Sequence, residues 1–510
     1  MGSAWRSLVP VNALVLAALV VGLLSNVAIA AWFGLTRDVD AFYAAMMLPN
    51  LFMFLCVDFL GKNFLPVLAL ARKEGKTSAG QVVSTVVTIM ALVGVVVAVA
   101  LASAGPFLFP VLLPGFDAID TALVTRYFWI MAPAIAFMAI NTFHEYVCQY
   151  DEDFVSVSAI RLALPVMNLV AIFALAPVLG EYCLPVGYLA GHATMFVLLA
   201  RRARYAYRPS LKLRKHLERQ VFANAAIVMS TGLIARTRSI VINALASTLG
   251  GGAIAALAFA TKLTEPLERA AFSGARMLIF TRAARLYADD KLEELGRLYA
   301  VAIRVSFMVL APLLAWVALN SDVLVAAIFA RGEFTAEMTA LVGAVLAASA
   351  PAVLVAGTSQ LLANAFYAMG RVRVPAVVLP FGMLVFVIAA LLLARALGAQ
   401  GIALAITLSA TTVCAALLAA LAREIRTAPW GQVALQSLGY AALATAVMGA
   451  LTIVTRGLGG HALAAAGVSL LCGSAVYFGL LVASGDDALR TVTRVGRQWF
   501  FGHPQRVAPP

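Results

Sequence analysis

Apolar residues fill this chain in long unbroken blocks, and polar residues are confined to the short stretches between them. The block from Val86 to Ala102, VVTIMALVGVVVAVALA, is apolar on every face, as only a helix without a water-facing side can be. Crossing ~30 Å of hydrocarbon takes about 20 helical residues. Blocks of that length predict fourteen spanning helices, at 8–33, 41–71, 78–104, 121–148, 154–179, 182–203, 219–248, 252–285, 292–319, 336–368, 373–396, 398–422, 432–455 and 461–484. The first follows Arg6 and runs from Leu8 to Phe33, which is too long for the core of a cleavable signal peptide.

Composition agrees with the pattern. Of 510 residues, 63% are hydrophobic and 12% charged, against roughly 25% charged in a soluble domain. The deficit is spread along the chain and leaves no soluble domain within it. Cys56, Cys148, Cys183, Cys414 and Cys472 lie in or beside apolar blocks and form no Cys-x-x-Cys pair, so they read as small packing residues. The five histidines are scattered, and no metal or other cofactor is expected.

The net charge is +13. It has a membrane explanation rather than a nucleic-acid one, because spanning proteins concentrate Lys and Arg in cytoplasmic loops. Alternate loops divide these residues 24 to 4: Arg6, Arg72, Lys73, the run from Arg201 to Arg219 and the tail from Arg490 fall on one side, and Arg37, Arg331, Arg395 and Arg456 on the other. An even number of spans with both termini in the cytoplasm follows.

The longest basic loop separates two six-helix lobes. The expected organisation is an N-terminal lobe at 1–203, a basic linker at 204–218, a C-terminal lobe at 219–424, two further helices at 425–486 and a basic tail at 487–510. Identities recur at one constant offset: Asn26 with Asn243, Gly34 with Gly251, Ala41-Phe42 with Ala258-Phe259, Pro49 with Pro266. Six helices per lobe is even, so the lobes run in the same direction and are related by an axis along the membrane normal.

Charges inside spans are costly, at ~2.5–3.5 kcal/mol for an Arg, Lys or Asp at a helix centre, and call for a partner or a wet cavity. Asp58 and Lys62 stand one turn apart in span 2, and Lys262 and Glu265 three residues apart in span 8; each couple reads either as an ion pair or as part of a site. Arg236 and Arg238 lie within span 7 with no acid nearby in sequence, so at least one is expected to line a polar cavity. Arg126, Glu145, Arg161, Arg276 and Arg304 lie nearer span ends, where long side chains reach the interface. Pro49-Asn50 and Pro266 are expected to break spans 2 and 8 at equivalent points, the usual mark of a transporter's binding region.

These residues resemble the MurJ/MviN family of the multidrug, oligosaccharidyl-lipid and polysaccharide exporter superfamily. The segments that carry the likeness are Phe33-Gly34, Asp40-Ala41-Phe42, Leu48-Pro49-Asn50-Leu51 and Phe64-Leu65-Pro66; Ser239 to Asn243 and Lys262 to Glu265; and Arg331-Gly332-Glu333-Phe334-Thr335 with Asn364 to Ala368. The resemblance implies an all-α membrane protein with two six-helix lobes, two C-terminal helices and a central cavity. It also implies outward flipping of an undecaprenyl-pyrophosphate-linked glycan in the bacterial inner membrane, beside cell-wall or polysaccharide assembly proteins. Where the family carries an Arg-Asp pair and a later Arg in its first helix, this chain has Ser25-Asn26 and Ala31, and Phe52, Met53 and Phe54 follow the Leu-Pro-Asn-Leu motif in place of arginines. The eighth-helix cation is kept as Lys262, and Lys62, Arg236 and Arg238 are candidate replacements for the rest.

A flippase for lipid II or an exopolysaccharide precursor is therefore expected. A drug or ion antiporter of the same superfamily is the second reading, and the absence of an intramembrane acid cluster speaks against it. A polyprenyl-dependent glycosyltransferase or polymerase would need catalytic groups on a loop-framed site. The short loops on the less basic side offer few: Asp117, Asp120, Asp322 and Glu333. The pattern points to a transporter and not to an enzyme.

Overall fold

The computed structural model describes residues 2–57, 68, 76–203, 207–211, 237–458 and 461–485. They are helical, with no strand among them. The first helices are α1 (Gly2–Phe33), α2 (Arg37–Ala45), α3 (47–57), α4 (Lys76–Leu112), α5 (Ala118–Met131) and α6 (Pro133–Tyr150). They continue as α7 (Phe154–Ile160), α8 (Ala163–Leu179), α9 (Cys183–Arg202) and α10 (237–247). The remainder are α11 (Ala253–Ala288), α12 (Leu292–Leu319), α13 (Ser321–Phe329), α14 (Ala336–Ala368), α15 (Arg373–Glu424), α16 (Trp430–Gly457) and α17 (Ala462–Ala483). Among the described residues nine helical stretches are long and apolar enough to cross a membrane, or ten with the pair α5–α6, which bends by 45° at Ala132. Two of the nine hold two expected spans each: α7 to α9, folded at Gly180, and α15, folded at Gly398. Twelve of the fourteen expected spans are met in this way; the span at 219–248 lies mostly outside the described residues, and the helix at the place of 252–285 is not apolar enough to qualify.

One long helix departs from the apolar rule. Every other described helix of more than 20 residues is apolar enough to span, but α11, 36 residues long, is not. Lys262, Glu265, Glu268, Arg269 and Arg276 all fall within it.

The two halves follow the same backbone plan. From the fourth span onward, features recur at a constant offset, one position longer than that of the sequence identities. Ala118 opens α5 and Ala336 opens α14; Tyr150 closes α6 and Ala368 closes α14; Pro133 corresponds to Pro351. Glu152 and Gly370 both take positive φ, at 59° and 70°. Gly180 turns the chain at φ 55°, ψ −138°, and Gly398 does so at φ 60°, ψ −138°, a conformation open in practice to glycine alone. The pairing fails at one expected point. Pro49 has no N–H for the Ala45 carbonyl, and the helix is interrupted there, with Met46 in a turn. At Pro266, by contrast, α11 runs on without a break, so the expected second interruption is absent. One missing hydrogen bond in 36 residues is absorbed by the helix on either side.

The chain divides into two compact units, Met1–Ala258 with Phe329–Met338, and Phe259–Ile328 with Thr339–Pro510. The linker expected at 204–218 lies mostly outside the described residues. In the first unit Val82, Val86 and Met90 of α4 pack with Ala139, Phe143 and Val147 of α6. The segment Phe329–Met338 joins this unit by a backbone-to-backbone bond: Glu333 N–H donates to the Ala31 carbonyl at 2.9 Å. Gly332, at φ 59°, lies so close that a Cβ there would stand 2.1 Å from that carbonyl oxygen. In the second unit Phe272, Met308, Leu361, Tyr440 and Tyr477 form a common core. Its last two helices are tied by polar bonds as well to α12, its C-cap Asn320 and the start of α13: Trp316 Nε1 donates to the Ala466 carbonyl at 2.9 Å, Asn320 Nδ2 to Thr452 Oγ1 at 3.2 Å, and Arg456 to Asp322 at 2.8 Å.

Candidate functional site

The polar helix α11 carries the centre of the site. Lys262, Pro266 and Arg269 follow at i, i+4 and i+7 and share one face. Lys262 and Arg269 are exposed and Glu265 is half-buried. The spacing of Lys262 and Glu265 allows an i, i+3 pair, but the structure spends Glu265 otherwise: its Oε1 accepts from Arg269 one turn on. Glu268 accepts from Gln360 Nε2 of α14 at 3.0 Å. Both acids of this stretch are therefore engaged, and Lys262 has no hydrogen bond or ion pair among the described residues. A cation on a membrane helix with its neighbouring acids occupied is suited to an anionic ligand. Arg276, further along, returns to its own helix and donates to the Phe272 carbonyl at 3.2 Å.

The first helix is neutral where the resemblance places charges. Ser25 and Asn26 are buried in α1. Asn26 donates to the Gly22 carbonyl at 2.6 Å and accepts from the Tyr43 hydroxyl at 2.8 Å, which ties α1 to α2. The Ala31 carbonyl is held by Glu333 N–H. The residues that replace the family's first-helix charges thus serve packing.

Asp40, in α2, is fully buried. Its two carboxylate oxygens accept from the backbone N–H groups of Gly252 (2.6 Å) and Ala255 (2.7 Å), where α11 begins. The first N–H groups of a helix have no partner within it, so Asp40 caps α11 from a helix in a distant part of the sequence. Around it Arg37 pairs with Asp120, and Tyr127 donates to Asp38 at 3.3 Å.

Asp58, Lys62 and Arg236 lie outside the described residues. Arg238 is half-buried in α10. Pro49 is buried and Asn50 half-buried in α3, where Asn50 Oδ1 meets the Tyr188 hydroxyl at 3.5 Å. Glu145 and Arg161, expected only to reach for the interface, instead form a two-bonded pair at 2.8 and 2.7 Å with Glu145 buried. They lie 16 residues apart across the hairpin of α6 and α7, a separation no helical spacing rule reports. Asp40 was visible only as one letter of a motif; its partners are backbone amides and leave no mark in sequence.

Comparison with known proteins places this geometry. The family model described as lipid II flippase MurJ matches residues 29–466. A protein named lipid II flippase MurJ from Burkholderia cenocepacia is 25% identical over 387 residues, covering 73% of this chain and 74% of its own. Among solved structures, a lipid II flippase MurJ in an inward closed conformation superposes with a TM-score of 0.76 at 16% identity, over 92% of this chain and 99% of its own. An inward-facing multidrug resistance MATE family transporter of the MOP superfamily reaches 0.69 at 15% identity, over 79% of this chain and 94% of its own. At these identities the structural likenesses establish a shared fold.

Proposed function

The chain belongs to the lipid II flippase MurJ family, and from that premise we propose that it carries an undecaprenyl-pyrophosphate-linked glycan precursor, lipid II or a related exopolysaccharide precursor, from the cytoplasmic to the periplasmic leaflet by alternating access. The lobes at 1–203 and 219–424 act as the alternating parts, the helices at 425–486 extend the second, and both termini lie in the cytoplasm. The observation that carries the reading is Lys262, exposed on α11 while Arg269 occupies Glu265 and Gln360 occupies Glu268.

The physical need is set by the cargo's head. A pyrophosphate carries about two negative charges, and an unpaired ion costs many kcal/mol to move through hydrocarbon. Lys262 supplies one compensating charge, and Arg236, Arg238 and Lys62 are the candidates to supply the rest. An interior-negative potential favours outward movement of each negative charge by ~2.3 kcal/mol per 100 mV. The neutral Ser25-Asn26 pair removes cations from α1, which supports a cargo held mainly through the second half of the chain. Asp40 serves the cycle as a clasp: holding the start of α11 to α2 fixes one end of the helix that bears Lys262.

The test is flipping in proteoliposomes, with fluorescent lipid II and a fluorescent polyprenyl-pyrophosphate oligosaccharide as separate cargoes. Lys262→Gln should fold with unchanged thermal stability and lose flipping of the preferred cargo; Glu265→Gln should fold and keep it. Full activity in Lys262→Gln overturns the cargo-binding role of Lys262. Rescue of a misfolded Lys262→Gln by Glu265→Gln would restore the ion-pair reading in its place.

A further inference from the structure

A second cation in the membrane-spanning part has no partner among the described residues. Arg126 stands eight residues into α5, ~12 Å along the helix, and its side chain is exposed. It borders a groove between α4 and α5 of about 290 Å³, lined with it by Pro106, Thr121, Thr125 and Trp129. The groove is built into the backbone. Pro106 lacks an N–H and leaves the Ala102 carbonyl free within α4. The Trp129 indole N–H donates to that carbonyl at 2.9 Å, which fixes the ring at the groove's edge. Thr121 and Thr125 give their hydroxyl protons to the carbonyls of Asp117 and Thr121, at 2.9 and 2.7 Å. Among the described residues that line the groove, Arg126 is then the side chain with donors to offer.

The surroundings say what kind of ligand reaches it. Phe107 (80%), Val111 (75%) and Ile119 (78%) are strongly exposed on the neighbouring turns of α4 and α5. Side chains of that kind face acyl chains, so the groove opens to lipid. Tryptophan is enriched where chains meet headgroups. An arginine at that level, with no acid to pair with among the described residues, calls for an anion that arrives with the lipid.

We propose that Arg126 and the α4–α5 groove bind the phosphodiester headgroup of an anionic glycerophospholipid of the phosphatidylglycerol type, in the leaflet that the proposed topology makes periplasmic. The site lies apart from α11 and does not depend on the identity of the transported cargo. Its role is to seat the outer end of α5 in the bilayer.

The test uses the full chain in nanodiscs and reads quenching of Trp129 by lipids brominated near the headgroup, taken as the difference between the wild type and Trp129→Phe. Brominated phosphatidylglycerol should quench more efficiently than brominated phosphatidylcholine, with an apparent preference of about fivefold, as one basic residue at an anionic surface gives ~1 kcal/mol. Arg126→Gln should abolish the preference and Arg126→Lys should keep most of it. Arg126 makes no bond within the described chain, so both variants should retain wild-type helicity. Equal quenching by the two lipids in the wild type overturns the proposal, and so does an unchanged preference in Arg126→Gln.

Discussion

Replacing Asp40 tests the cap on α11 directly. Both oxygens of this buried carboxylate accept backbone N–H groups, at 2.6 and 2.7 Å. A hydrogen bond to a charged partner is worth about 1.5–3 kcal/mol. Asp40→Ala removes two, so opening the first turn of α11 should become easier by about 3–6 kcal/mol. At ~1.4 kcal/mol per factor of ten, amide exchange at Gly252 and Ala255 should quicken at least ~100-fold. Asp40→Asn keeps one neutral acceptor and loses the charge. With a neutral bond worth ~1 kcal/mol, its exchange should fall between wild type and Asp40→Ala. Hydrogen exchange read by mass spectrometry on peptides covering 250–256 is the assay, with peptides of α16 as the internal control. The cap is refuted if folded Asp40→Ala exchanges these amides at the wild-type rate.

Further outcomes follow from other residues. Gly357→Ala would place a Cβ 2.2 Å from the ring of fully buried Phe272, so it should cost ~1–3 kcal/mol and lower the thermal unfolding midpoint. Gly332→Ala meets both a positive φ and the Ala31 carbonyl; increased proteolysis within 329–338 is the readout. At the α7 cap, burial works against the charge of Asp153, but hydrogen bonds from Arg202 and Ser156 and the Arg202 charge outweigh it and hold the carboxyl below its ordinary value. Such a group stabilises the fold above its unfolded pKa, ~3.9, and the contribution is lost as pH falls through the lower folded value. Asp153→Asn should therefore cost ~0.2–1 kcal/mol near neutral pH and flatten the acid limb of a stability-against-pH curve. Reporter fusions after Gly457 should read periplasmic and those after Arg490 cytoplasmic; the reverse would overturn the topology.

The sequence reports spans well because hydrocarbon imposes a length and an apolar composition on each. The span expected at 336–368 is α14 to the residue. The repeat was also legible, but only from identities near the start of each half; the stronger record is in backbone angles at Gly180 and Gly398, which letters do not carry. Side-chain pairing is where the sequence runs out. Glu265 has Lys262 three residues before it and Arg269 four after, and both spacings permit a bond; the rotamers settle it for Arg269. The corresponding parts of the halves show the same limit. Asp153 pairs with Arg202 in the first half, while Arg371, its counterpart in the second, pairs with Glu424. The backbone plan is repeated, while Asp153 and its counterpart Arg371 carry opposite charges and find partners at different positions.

The bonds from α12 to the last two helices bear on how the protein is made. Trp316 must wait for Ala466, 150 residues later, and Asn320 for Thr452. At a synthesis rate of ~5–20 residues per second, α12 leaves the ribosome about 8–30 s before the carbonyl that receives its indole exists. During that interval Trp316 and Asn320 lack the partners that the last two helices will bring, and the second unit is incomplete. Its completion is therefore tied to release of nearly the whole chain. A nascent protein stalled before Ala466 would keep Trp316 permanently unmatched, a lesion that quality-control proteases of the membrane could read.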